Sequence, residues 1–309
     1  MATTLTGVPT PDTEATPELP MGRRIELLGR GESFVREVKG PEGAPTVILL
    51  HGWIASAGLN WFRVFEPLSK HFHVVAPDMR GHGRGLRNRR RFTLNDCADD
   101  VAALCDQLGI ESAILCGYSM GGPVSLLTWK RHRHLVDGMV LAATSYNVVP
   151  GVRDQLIFVG LMAAMAGSTR IGQTLTHLPI RAMRQFQAQS EGPMRPDSFQ
   201  RWAAAEAARH DIRLLVEAGQ ALGTFNAKKW VKNIDVPSTV LITTKDRGIR
   251  PSAQFHLAVE IPDAEIEMFD EGHAAPMLTT FADPIVQACL GVAGRVDPDR
   301  PVAHTFERS

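Results

Sequence analysis

The sequence predicts an α/β protein: a mostly parallel sheet flanked by helices, interrupted after its sixth strand by a helical block. Three observations carry this. Short apolar runs rich in β-branched residues alternate with amphipathic helical patterns along most of the 309 residues. One apolar run, Ser112 to Cys116, ends in Gly117-Tyr118-Ser119-Met120-Gly121 and passes at once into a helical pattern. From Tyr146 to Asn226 the alternation fails, leaving helical spacing with no strand. The length suits one large domain carrying such an insertion.

Residues 1–20 are rich in Thr and Pro without an apolar core, and read as a disordered tail rather than a signal peptide or anchor. Arg24 to Leu28 and Ser33 to Lys39 read as strands joined by the Gly29-Arg30-Gly31 turn. Thr46 to Leu50 is the continuous apolar run of a strand buried on both faces, and ends in His51-Gly52-Trp53. A helix is expected from about Asn60 to Ser69. His73 to Ala76 is the next strand, leading into Asp78-Met79-Arg80-Gly81-His82-Gly83. Leu94 to Leu108 has the spacing of an amphipathic helix, Met120 to Arg131 follows the serine as a helix, and Gly138 to Ala143 is another strand.

Within the block, Leu156–Ala166, Ser168–Gln187, Asp197–Arg209 and Asp211–Leu222 show helical periods, with Ser168, Asp197 and Asp211 as candidate N-caps. A block that starts at a strand end, the edge where open α/β sheets bind ligands, reads as a cap. Alternation resumes with Ser238 to Thr243, a helix from Pro251 to Val259, Glu265 to Phe269, and a last helix capped at Asp283-Pro284. The expected organisation is a core of 21–145 and 227–296, a cap of 146–226 and a tail of 297–309.

Composition is that of an ordinary globular chain: 44% hydrophobic, 21% charged and zero formal net charge. It offers no attraction for nucleic acid. The most apolar stretch, Leu156 to Ala166, falls short of the ~20 residues a membrane-spanning helix needs. Cys97, Cys105, Cys116 and Cys289 lack metal-type spacing and read as free core thiols of a reducing compartment, so a cytoplasmic location is expected. The pairs His71 with His73 and His132 with His134 read as surface positions, not metal ligands. The basic run Arg84, Arg87, Arg89, Arg90 and Arg91 reads as a solvated loop, with attraction of anionic substrates a weaker second reading.

The chemistry gathers at strand ends. A serine at a tight strand-to-helix turn exposes its hydroxyl beside free N–H groups, and glycines two positions either side spare the turn a clash. That hydroxyl needs an imidazole to take its proton, and the imidazole a carboxylate on its far nitrogen. Asp246 follows the strand ending at Thr243 and His273 the strand ending at Phe269; Asp270 and Glu271 compete with Asp246 on sequence proximity alone. His51 and His82 read as loop-shaping residues bonded to nearby backbone.

These landmarks, together with Ile234-Asp235-Val236-Pro237 before a strand, resemble the α/β-hydrolase superfamily, close to its cap-bearing serine esterases and lipases, over about Thr46 to Gly291. The resemblance implies the α/β-hydrolase fold, with Ser119 as nucleophile, His273 as base then acid, and Asp246 as the orienting acid. It also implies an oxyanion hole from the backbone N–H groups of Trp53 and Met120. Two departures stand out: Gly85 occupies a position where the family usually has a small polar residue, and the basic run follows it. The expected activity is hydrolysis of a small carboxylic ester with an apolar acyl group, without metal or organic cofactor. Trp53, Tyr118, Phe158 and Met162 are candidate substrate contacts. The same triad also runs carbon–carbon bond hydrolysis, peracid formation and peptide cleavage, and the fold also serves as a ligand receptor. Oligomeric state and acyl length are not legible.

Overall fold

The structure, a computed structural model, describes residues 16–149, 155–165 and 199–297. Eight strands form one sheet: β1 (Gly22–Leu27), β2 (Gly31–Val38), β3 (Thr46–Leu50), β4 (His73–Asp78), β5 (Ala113–Tyr118), β6 (Val136–Ala142), β7 (Ser238–Thr243) and β8 (Glu265–Phe269). Their order is β1-β2-β4-β3-β5-β6-β7-β8. β2 runs antiparallel to β1 and β4, and all pairs from β4 to β8 are parallel. The helical insertion follows β6, as expected.

The central strands read as unbroken apolar runs because both faces are covered. Ile48 and Leu50 pack into one hydrophobic cluster while Val47 and Leu49 pack into the other, the period-2 alternation of a strand. The first cluster is closed by α3 (Leu94–Leu108), α4 (Gly121–Arg131) and α8 (Pro251–Glu260), the second by α1 (Ala57–Trp61), α2 (Phe65–Ser69) and α9 (Ala282–Val296). Thr93 caps α3 by accepting from the Asp96 N–H, and Gly109 ends it at φ 66°, the left-handed conformation that favours glycine. The four cysteines are buried and free. Burial pushes the Cys105 thiol up to about 12, so it stays protonated at neutral pH.

Three local expectations need correction. The helix expected from Asn60 to Ser69 is two short ones, α1 and α2. Pro67 supplies no N–H to a continuous helix but is tolerated at the third position of α2, so the chain restarts just before it. Asp283 lies in the first turn of α9, and Phe281 precedes the helix without a side-chain cap. His73 and His132 are not open surface positions: each is part-buried and pairs with an acid, His73 with Glu37 at 2.9 Å and His132 with Asp99 at 2.8 Å. Among the described residues no group of side chains could hold a metal ion.

Of the insertion, α5 (residues 155–165), α6 (Phe199–Ala207) and α7 (Ile212–Thr224) are described. Asp211 caps α7 by accepting from the Leu214 N–H at 3.1 Å. The helix expected over Ser168–Gln187, and the caps Ser168 and Asp197, lie outside the described residues. So do most of the two expected tails; within the first, Leu19 packs against the core and the Pro20 carbonyl accepts from Arg36.

The basic run is a docking strip for the insertion, which corrects the solvated-loop expectation. Arg84 makes two hydrogen bonds to the Glu206 carboxylate on α6, at 2.9 and 3.0 Å. Arg87 donates to the Gly83 carbonyl at 2.7 Å and to that of Arg209. Arg213 on α7 reaches back to the Asn88 and Arg90 carbonyls, and Glu217 accepts the Phe92 N–H at 2.8 Å. Arg89 and Arg90 are exposed and make no side-chain bond to the insertion among the described residues. Burial works to raise the Glu206 carboxyl, but the bonds and charge of Arg84, with Arg209 and Arg36, hold it below the usual range. Replacing Glu206 by Gln leaves Arg84 half-buried without its counter-charge. The expected cost is about 3 kcal/mol, read as a lower melting temperature with faster proteolytic cleavage of the insertion.

Beneath this strip three imidazoles lie together, His51 to His82 with ring centres 5.2 Å apart and His82 to His210 at 5.7 Å. His51 donates from Nδ1 to the Gly52 carbonyl and accepts the Met79 N–H at Nε2, at 2.8 and 2.9 Å; His82 donates to the Arg80 carbonyl at 2.9 Å. His210 accepts the Gly83 N–H at 2.8 Å. Burial holds His51 down to about 3 and puts His82 and His210 below their ordinary value. The unfolded chain binds protons on these rings from about pH 6.5 downwards, whereas the folded chain refuses them. Their contribution to stability is therefore full above about pH 7 and lost as pH falls from about 6.5 towards 3. Urea midpoints measured between pH 8 and pH 5 are expected to fall along the acid side; a flat profile contradicts this.

Candidate active site

The turn between β5 and α4 holds Ser119 at φ 51°, a left-handed conformation strained for any residue but glycine. The glycines make that turn possible. A β-carbon on Gly117 would lie 2.4 Å from the Gly121 carbonyl oxygen, and one on Gly121 would lie 2.0 Å from that of Leu50. From the sheet side the Ser119 N–H donates to the Ala142 carbonyl at 2.9 Å, and the Thr144 hydroxyl donates to the Ser119 carbonyl at 2.9 Å. The serine backbone is thus over-determined, and the residue is half-buried.

His273, in the loop after β8, places Nε2 3.0 Å from Ser119 Oγ. Its Nδ1 lies 2.7 Å from Asp246 Oδ2, in the loop after β7. The carboxylate accepts only, so Nδ1–H donates to it, and Nε2 is left to accept from the serine hydroxyl. Asp246 is fully buried and fully partnered: Oδ1 accepts the Gly248 and Ile249 N–H groups at 2.7 and 2.9 Å, and Oδ2 accepts the Thr243 hydroxyl at 2.8 Å and Gln254 Nε2 at 3.2 Å. Burial works to raise this carboxyl; the bond and charge of His273, then the Ile249 N–H and Thr243, outweigh it and hold the group below the ordinary carboxylate range. Asp270 turns instead to Lys245 and the Thr244 hydroxyl, at 2.7 and 2.6 Å, and is largely exposed.

Across the serine, β3 ends in His51-Gly52-Trp53. The Gly52 N–H is occupied by Asn60 Oδ1 at 2.9 Å. The Trp53 and Met120 N–H groups have no hydrogen-bond partner among the described residues. Such an arrangement can pass a proton from a hydroxyl to an imidazole and offer two N–H donors to a developing oxyanion.

The candidate substrate contacts divide. Trp53 is half-buried, with Phe158 edge-on at 6.4 Å between ring centres and Met162 and Val216 packed nearby. Tyr118 is the correction. Its ring is enclosed by Trp61 and Phe281, it is 3% exposed, and its hydroxyl donates to the His273 carbonyl at 2.8 Å. It braces the histidine loop from below rather than facing a ligand, because a side chain next to an inverted turn residue points to the opposite side of the strand. Asn60, Thr243 and Gln254 escaped the sequence reading. Their one signal was polarity at positions flanking buried elements, which alone names no partner. Gly85 is now explained: a β-carbon there would lie 2.3 Å from the Asp78 and Met79 carbonyl oxygens.

A family model described as the alpha/beta hydrolase fold matches residues 45–279. The chain belongs to the α/β-hydrolase family. This α/β-hydrolase is 28% identical over 276 residues to the AB hydrolase superfamily protein YisY of Bacillus subtilis, covering 82% of this chain and 93% of that one. It is 27% identical over 258 residues to the pimeloyl-[acyl-carrier protein] methyl ester esterase of Sodalis glossinidius, covering 80% and 92%. The solved structure of a hydrolase from Pseudomonas aeruginosa superposes with a TM-score of 0.69 at 21% identity, covering 88% of this chain and 98% of that one, a likeness of fold. In this α/β-hydrolase, Tyr118→Phe deletes one buried hydrogen bond and strands the His273 carbonyl. The expected loss is about 1 kcal/mol, seen as a melting-temperature drop of a few degrees.

Proposed function

We propose that this α/β-hydrolase is a serine hydrolase cleaving a small carboxylic ester through an acyl-enzyme on Ser119. The observation that carries the reading is the unbroken chain Ser119 Oγ to His273 to Asp246, at 3.0 and 2.7 Å, with the Trp53 and Met120 N–H groups left without a partner among the described residues. Ser119 Oγ attacks the ester carbonyl as its proton passes to His273 Nε2. The carbonyl electrons move onto oxygen, where the Trp53 and Met120 N–H groups hold the charge. Collapse expels the alkoxide, which takes the proton from His273 and leaves as the alcohol. Water, deprotonated by the same nitrogen, attacks the acyl-enzyme and returns the acid and free Ser119. Asp246 keeps the imidazole in the tautomer each step needs.

An ester is favoured over other acyl compounds because a relative matched over nine-tenths of its length is named as a methyl ester esterase. An apolar acyl group is favoured by the apolar cluster that Trp53, on the loop after β3, forms with Phe158 and Met162 of the insertion. No helix among the described residues is long and apolar enough to cross a membrane, and the buried free thiols fit a cytoplasmic place. A fluorophosphonate probe is expected to label the wild type and not Ser119→Ala, which loses about 10⁴-fold or more in turnover of short aryl esters. Labelling that survives the substitution rules out Ser119 as nucleophile. Absent labelling together with absent ester turnover sinks the reading altogether.

A further inference from the structure

The loop carrying the Trp53 N–H contains a conformation that its own residues do not explain. Ile54, the next residue, sits at φ 60°, a left-handed region in which a β-branched residue is a genuine outlier. Its side chain is 53% exposed, so burial of Ile54 does not compensate for the strain. Strain of this kind persists only where the surroundings over-determine the backbone. On the core side the ties gather at Gly52: Asn60 Oδ1 accepts its N–H, and its carbonyl accepts from His51 Nδ1 at 2.8 Å and from the Ala55 N–H at 3.3 Å. Trp53 itself is tied from the insertion, its Nε1 donating to the Leu215 carbonyl on α7 at 2.9 Å.

The fit of the indole against α7 is specific. Gly219, one turn beyond Leu215, has no side chain where the ring lies. A β-carbon there would stand 2.7 Å from Trp53 Cζ2 and 3.0 Å from Met162 Sδ. The indole is seated in a notch that only glycine leaves open, with Val216 and Phe158 packed around it.

We propose that the Trp53 side chain is a positioning residue coupling the cap to the oxyanion hole, with the Leu215 carbonyl and the Gly219 notch as its seat; this rests on the serine-hydrolase reading above. With the cap docked, the indole holds the loop in its strained form and aims the Trp53 N–H at the carbonyl oxygen of a bound ester. When α7 moves, the tie is released, Ile54 relaxes and that donor turns away. The contact between core and cap therefore bears on the rate of the chemical step, whatever the acyl group.

The test uses Trp53→Phe, which keeps an aromatic ring and the backbone N–H but removes the indole donor, and Gly219→Ala, which displaces the indole from the cap side. The second change favours the helix, so it remains informative if the first folds poorly. On p-nitrophenyl acetate, whose acyl group is too short to depend on the cap, each is expected to lower kcat about tenfold with KM within about twofold. Because both act through one contact, the double variant is expected to lose no more than the worse single variant. Unchanged kcat in both, a loss confined to KM, or multiplying losses would each overturn the coupling while a labelled, active wild type leaves the serine-hydrolase reading standing. A wild type that neither labels with fluorophosphonate nor turns over the ester overturns both.

Discussion

The close approach of β3, β5 and α4 around Ser119 is the constraint on which the rest of the site depends. Gly121 meets the Leu50 carbonyl with no room for a β-carbon, so the start of α4 is pressed against the end of β3. One contact therefore fixes two things: the serine at the apex of its turn, and its distance from the loop that begins at His51. His273 and Asp246 need only stand at the ends of β8 and β7, and parallel strands deliver both to the same edge. The Thr144 hydroxyl and the Tyr118 phenol then lock carbonyls of the serine turn and the histidine loop from opposite sides.

The core was legible wherever burial on both faces left an unbroken apolar signature. β3, β7 and β8 begin and end where the sequence pattern puts them, although β8 is an edge strand with mostly exposed residues. The meeting of Ser119, Asp246 and His273 was legible because each follows a strand, and their order along the chain is informative. What escaped was long-range and polar. Arg84 and Glu206 are 122 residues apart, and nothing local distinguishes that arginine from a solvated one. Tyr118 was misplaced because position in a motif says nothing about which side of an inverted turn its neighbour faces. Pro67 did carry a signal, since a proline mid-helix is a warning; the periodicity on either side masked it.

The polar seam between core and insertion has an unusual composition. Its charged side chains stand in pairs, Arg84 with Glu206 and Arg213 with Glu217, and three imidazoles lie beside one another. Desolvation explains the division. A fully buried charge without a counter-ion is costly, and imidazole can shed its proton and still make directed hydrogen bonds. His51, His82 and His210 thus shape the backbone on both sides of the seam with no net charge to stabilise.

The insertion leaves the sheet after β6 and rejoins it before β7, two strands that are direct neighbours. Its two ends are stapled where they meet, the Ala227 N–H donating to the Tyr146 carbonyl at 2.8 Å. For an excursion that departs and returns at one point, the closure entropy grows only with the logarithm of its length. Variation within it is then insulated from the strand register that sets the serine, acid and histidine. The sheet and its strand-end residues thus form one unit, and the insertion an excursion from it that begins and ends at neighbouring strands.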